Sequence, residues 1–155
     1  MRWVYESLAL VLISAVAAGG IYLLVGAPDH SVPCVQAELK ADQVCLETVM
    51  SEWNGDVLWV DARSDREYRK GHLPEALLIS ETDAENQIAV PETMERIGMA
   101  GVEGRKLVVY CGTDACGSSE LVAEKIRTTG FHSEVYVLFG GWKAVMASGV
   151  SVVTP

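Results

Sequence analysis

Positive charge is scarce in this chain of 155 residues: 12 Lys and Arg stand against 21 Asp and Glu, a formal net charge of -9. An acidic surface disfavours nucleic acid and anionic lipid, and no basic patch or Lys/Arg–aromatic interleaving interrupts it. Nucleic-acid partners are set aside on that ground. Internal repeats and low-complexity tracts are also lacking, which leaves an ordinary compact domain. The chain has four cysteines but no Cys-x2-Cys knuckle. A joint zinc site is therefore not expected, and nothing in the sequence calls for a cofactor.

What is present begins with an uncharged run. Leu8 to Ala27 carries no Asp, Glu, Lys or Arg, and its length suits one helical crossing of a bilayer. The competing reading is a cleaved signal peptide, with Arg2 as a thin positive n-region. The run exceeds the usual apolar core of such a peptide, and Pro28 follows the one late small-residue site. The expected organisation is a cytoplasmic N-terminus over 1–7, a transmembrane anchor over 8–27, a linker over 28–39 and a domain over 40–155. Arg2 precedes the span while Asp29 and His30 follow it. The positive-inside tendency then puts the domain on the periplasmic or extracytoplasmic side.

Beyond the linker, short apolar runs alternate with amphipathic segments. Cys34 to Leu39 reads as a short edge strand. Asp42 is a candidate N-cap for a helix over Gln43–Trp53, closed by Asn54-Gly55. Val57–Val60, Ala76–Ile79, Leu107–Tyr110 and Glu134–Leu138 read as strands. Ser64 caps a short helix over Asp65–Arg69, and Gly71-His72-Leu73-Pro74 is a turn. Glu81 to Val90 reads as a surface loop, and Pro91 opens a helix to Gly98. A helix over Ser118–Thr128 and a last one after Gly141, stopped by Gly149, complete the set. The alternation indicates an α/β fold with a mostly parallel sheet flanked by helices.

In such sheets ligands collect beyond the carboxyl ends of strands, where Asp61 and Cys111 both fall. Cys111 ends an apolar strand and faces a helix N-terminus across the loop Gly112, Thr113, Asp114, Ala115, Cys116, Gly117. Unpaired N–H groups and the helix dipole favour a thiolate there. Cys116 is either a resolving cysteine or packing behind the loop. Cys34 and Cys45 are either a structural disulfide, as an oxidising compartment permits, or two unrelated thiols.

Three blocks, in order, resemble the rhodanese (sulfurtransferase) domain. Val60-Asp-Ala-Arg-Ser-Asp-Arg-Glu-Tyr-Arg-Lys-Gly-His-Leu-Pro-Glu-Ala76 is similar to its N-terminal signature. Val109-Tyr-Cys111 is similar to its strand and catalytic cysteine. Val137-Leu-Phe-Gly-Gly-Trp-Lys-Ala144, followed by Gly149, is similar to its C-terminal signature. The resemblance implies a three-layer rhodanese-like fold in which Cys111 is the catalytic nucleophile. It implies that Cys111 takes sulfane sulfur from thiosulfate, polysulfide or a persulfide and passes it to a thiol or cyanide. It implies that Asp61 and Arg63 support the active loop, a role that a plain structural ion pair explains as well. His72 then holds a turn rather than a proton.

The sequence departs from the family pattern in three places, and the cysteine loop is the one that bears on function. Glu75 stands where the signature has Gly, and Val145 stands where the closing helix often has Trp. The loop carries an acid, Asp114, and no base, where many thiosulfate-using members carry Arg or Lys; an acid raises the thiol pKa and repels the anionic donor. Gly117 occupies the place six beyond Cys111 where the related cysteine phosphatases need Arg. The leading expectation is a membrane-anchored sulfurtransferase. The alternatives are a thiol–disulfide relay using Cys111 and Cys116, and a non-catalytic module docking a membrane-protein partner.

Overall fold

A computed structural model describes residues 33–112 and 117–154. The expected span 8–27, the segment 1–7 before it, and Thr113, Asp114, Ala115 and Cys116 lie outside the described residues. Among the described residues no helix is long and apolar enough to cross a membrane.

Five parallel strands form one sheet: β1 (Gln43–Val44), β2 (Val57–Asp61), β3 (Leu77–Leu78), β4 (Lys106–Tyr110) and β5 (Val135–Leu138). Their spatial order is β1-β5-β4-β2-β3. Inner strands β4 and β2 pair from Val57 with Lys106 to Asp61 with Tyr110. Both are buried along nearly their whole length. That explains why they read as continuous apolar runs: each face of a parallel sheet is covered by helices.

The period of two splits the strands into two cores. Leu58 and Val60 of β2, with Leu107, Val109 and then Cys111 of β4, face one side. Helices α3 (Ala84–Ala89), α4 (Pro91–Val102) and α5 (Gly117–Thr128) cover that side through residues such as Ile88, Ile97 and Val122. Val57 and Trp59, with Val108 and Tyr110, face the other. There they meet α1 (Leu46–Ser51) and α6 (Gly141–Ser148) through Val49 and Val145. The strand alternation thus delivers Cys111 to the layer that contains α5.

Four local expectations are corrected. Cys34–Leu39 is not a strand: Gln36–Glu38 is a 3-10 turn, and the edge strand is Gln43–Val44. The Gln36 side chain explains the shift. Its amide donates to the Gln43 carbonyl at 2.9 Å and accepts from the Cys45 N–H at 2.9 Å. Asp42 does not cap a helix, since α1 begins at Leu46; its carboxylate lies 3.3 Å from Arg127 and its carbonyl accepts from the Val137 N–H. The segment 81–90 is not a loop. It holds a 3-10 turn, Glu81–Asp83, and α3, because Ala84 and Ile88, four apart, bury on one face. Helix α4 also runs past Gly98 to Val102.

Other local signals hold. Ser64 and Glu67 form a reciprocal capping box at α2 (Asp65–Tyr68). Gly149 ends α6 in the left-handed region at φ 71°. Glu75 also sits there, at φ 58°, a conformation a glycine adopts without steric cost. Cys34 and Cys45 are joined in a disulfide, with Cα atoms 5.8 Å apart. The bond ties the start of the described chain to the first residue before α1.

Candidate functional site

Cys111 follows β4 directly and is 2% exposed. Its carbonyl accepts from the Trp142 N–H at 2.7 Å, which anchors the strand end to the first turn of α6. The Ser119 hydroxyl, itself buried in the first turn of α5, donates to Cys111 Sγ at 3.4 Å. Cys111 is disulfide-bonded. Cys34 and Cys45 are paired with each other.

Asp61 and Arg63 form the buried support behind this sulfur. Asp61 Oδ1 accepts from the Arg63 N–H and from Arg63 Nε, each at 2.9 Å, and Oδ2 accepts from the guanidinium at 2.6 Å. The same guanidinium donates to the Gly71 carbonyl at 2.7 Å. Its carbon lies 3.7 Å from the Trp142 ring centroid, a cation–π contact. Both side chains are almost wholly buried. A pair this deep is kept by its several bonds, because a lone buried charge costs several kcal/mol. Arg63 therefore links β2, the Gly71 turn and α6. Its positive charge is neutralised by Asp61 at bonding distance.

Tyr110, on the same face as Asp61, completes the scaffold. Its hydroxyl accepts from the Leu73 N–H at 3.2 Å, and its ring stacks on Trp142 at 5.8 Å. Burial, and then the Asp61 charge, push the phenol far above its usual range, so it stays neutral. His72 stacks on Tyr68 at 3.8 Å with Nδ1 3.0 Å from the Tyr68 carbonyl, and its backbone bridges Val153.

A cavity of about 330 Å³ opens onto Cys111. Its wall includes Cys111, Gly112 and Ser118 from the loop and α5, with Arg63, Glu67 and Glu81 opposite. Gly112 lies close to Glu67: a Cβ at Gly112 would sit 3.7 Å from Oε1. Ser118 donates its hydroxyl to Glu81. Hydrogen bonding from Ser64, with the Arg63 and Arg66 charges behind it, holds the Glu67 carboxyl below the ordinary glutamate range. The Glu67 carboxylate thus faces the cavity as an anion at neutral pH.

The structure brings Cys111 and Gly112 together with Arg63 around one cavity, with Gly117 opening α5, while Cys34 and Cys45 form a separate bridge. The expectations for Thr113, Asp114, Ala115 and Cys116 fall outside the described residues. The sequence reading passed over Ser119, Glu67 and Glu81. Ser119 was legible as a small polar residue one turn into the helix after the cysteine. Glu67 was legible as the N3 partner of Ser64. Glu81 carried no signal, because its segment read as loop.

The rhodanese-like domain family matches residues 48–148. A search of curated proteins finds no match. Among solved structures, the rhodanese-like domain of an Anabaena protein is 20% identical with a TM-score of 0.53, covering 75% of this chain and 81% of that one. A thiosulfate sulfurtransferase from Pseudomonas aeruginosa is 21% identical with a TM-score of 0.53, covering 80% of this chain but 21% of that one. A Rhodopseudomonas palustris protein of unknown function, described as a possible tyrosine phosphatase, is 22% identical with a TM-score of 0.53, covering 72% and 84%. These likenesses carry the fold alone.

Proposed function

The chain belongs to the rhodanese-like domain family, and from that premise we propose that it is a sulfurtransferase holding sulfane sulfur as a persulfide on Cys111. One observation carries the reading: Cys111 ends β4 at the mouth of the cavity, with its Sγ in reach of the Ser119 hydroxyl in the first turn of α5. In the transfer, the Cys111 thiolate attacks the outer sulfur of a persulfide or polysulfide donor. The donor's S–S bond breaks, its inner sulfur leaves as a thiolate, and Cys111 carries the outer sulfur. An acceptor thiol or cyanide then takes that sulfur and returns Cys111 to its thiolate. The N-terminal N–H groups of α5 and the Ser119 hydroxyl supply donors for the anionic sulfur in both states.

The disulfide at Cys111 favours a second reading, a thiol–disulfide relay. Attack of the Cys116 thiolate on Cys111 Sγ of the persulfide releases hydrosulfide and leaves a disulfide, which two external thiols then reduce. Intact-mass spectrometry of the reduced full-length protein after polysulfide treatment separates the two. A gain of one sulfur, lost in Cys111→Ser, is the expected result. Loss of two hydrogens, dependent on both cysteines, is the result of the relay. No change under either treatment leaves a non-catalytic binding module and contradicts both.

We also propose that residues 8–27 anchor the protein in a membrane with the domain on the extracytoplasmic side, near a membrane-protein partner. The Cys34–Cys45 disulfide supports that compartment. Protease protection in sealed vesicles tests it: the domain should be cut only from the extracytoplasmic side.

A further inference from the structure

The cavity at Cys111 has a charge pattern that the cysteine loop alone does not reveal. Two carboxylates from distant segments, Glu67 on α2 and Glu81 in the turn before α3, line it. The only Lys or Arg among its described lining residues is Arg63. That guanidinium is held by Asp61 and the Gly71 carbonyl and stacked on Trp142. The carboxylates are not turned away either. Glu67 lies beside Gly112, one residue from the sulfur, and Glu81 is tied to Ser118 in the first turn of α5. Ser64 and Ser118 hold the two acids in place without neutralising them.

We propose that Glu67 and Glu81 are specificity-determining residues that select the sulfur partner of Cys111 by charge. The favoured partner is a thiol or persulfide bearing positive charge, and dianionic donors of the thiosulfate kind are disfavoured. This rests on the reading of Cys111 as the reacting atom. Two carboxylates at a partly enclosed mouth raise the local concentration of cations and lower that of anions. The effect is screened by salt, because the mouth is open to solvent.

The test uses the full-length protein with its Cys111 disulfide intact. Three small thiols of similar size serve as probes: cysteamine, cationic; 2-mercaptoethanol, neutral; and 2-mercaptoethanesulfonate, anionic. In each case the thiolate attacks one sulfur of the disulfide and the other protein sulfur leaves as a thiolate. A second thiol then displaces the first as a small disulfide, so two thiols are oxidised and the protein disulfide is reduced. Rates are read by alkylation and mass mapping of Cys111. Each is divided by the same thiol's rate against an uncharged model disulfide, which removes differences in thiol basicity.

The expected order is cysteamine, then 2-mercaptoethanol, then 2-mercaptoethanesulfonate, with about tenfold between the extremes at low salt, as two nearby charges in a mostly aqueous setting produce. At molar salt the spread should collapse to about twofold. In the Glu67→Gln/Glu81→Gln protein it should shrink at least threefold at low salt. Glutamine still serves at N3 of the capping box, and the salt arm needs no variant. Equal or inverted rates, or a spread that the double substitution leaves unchanged, overturn the proposal while leaving Cys111 as the reacting atom. A Cys111 disulfide inert to all three thiols overturns the underlying reading and this one with it.

Discussion

Asp61 and Glu67 flank Arg63 in sequence, and the molecule uses them in opposite ways. Asp61 is fully buried and takes the guanidinium at 2.6 Å, so its charge is spent inside the fold. Among the described residues Glu67 accepts from the Ser64 hydroxyl and amide, and it keeps its charge at the cavity. A single arginine between two acids has gone wholly to structure. A basic residue in the primary sequence near a reactive cysteine is therefore no guide to the charge its substrate meets. The guide is which acid the arginine has been paired with.

The comparison breaks most severely at its buried end. Asp61→Asn leaves Arg63 charged and uncompensated, and stability should fall by about 3–5 kcal/mol in denaturant titrations. Asp61→Leu combined with Arg63→Leu should recover a large part of that loss, because no unpaired charge remains. If the double variant is no more stable than Asp61→Asn, the pair is not acting as a charge pair.

The Cys34–Cys45 bridge sharpens the contrast from another side, since it lies outside the cavity. Its loop spans 11 residues, and Cys34→Ser with Cys45→Ser should cost roughly 2–3 kcal/mol. Sulfur loading on Cys111 should be unchanged. A loss of loading in a folded double variant would show that the two cysteine regions are coupled.

Ser119→Ala removes the hydroxyl that donates to Cys111 Sγ. Loading with polysulfide should slow about threefold to tenfold, since one such bond contributes roughly 1 kcal/mol. The melting temperature should move little, and Ser119→Thr should restore part of the rate. Equal loss of rate and stability would mark Ser119 as packing only.

Acid acts on the Glu67 end. Its carboxyl is held below the ordinary value by Ser64. Its contribution to the α2 cap is complete above the unfolded glutamate pKa and fades as pH falls through the lower folded value. Hydrogen exchange at Ser64 and Glu67 should therefore show α2 fraying as the pH falls into the acid range. The smallest effect is a gain: Glu75→Gly should stabilise by about 1 kcal/mol, because φ 58° disfavours any side chain.

The sequence made the inner sheet legible because β2 and β4 are short apolar runs ended by chemistry-bearing residues. The capping box at Ser64 and the stop at Gly149 were equally local. The edge strand was misread because its position is fixed by the Gln36 side chain reaching Gln43 and Cys45. Helix α3 was missed because only Ala84 and Ile88 mark it, and both bury against distant parts of the chain. At the site, Cys111, Asp61 and Arg63 were legible from their strand ends. Glu81 was not, because only the return of α3 over the sheet brings it to Ser118. The contact of Trp142 with the Arg63 guanidinium is a tertiary fact.

The central claim is that sulfur on Cys111 is passed on. The most direct measurement loads the reduced full-length protein with isotopically labelled sulfane sulfur, removes the donor, and adds a thiol acceptor in a single turnover. Label should map to Cys111 before the acceptor is added and appear as acceptor persulfide afterwards, with neither event in Cys111→Ser. Label that never loads on Cys111, or that stays on the protein when the thiol is added, would contradict it.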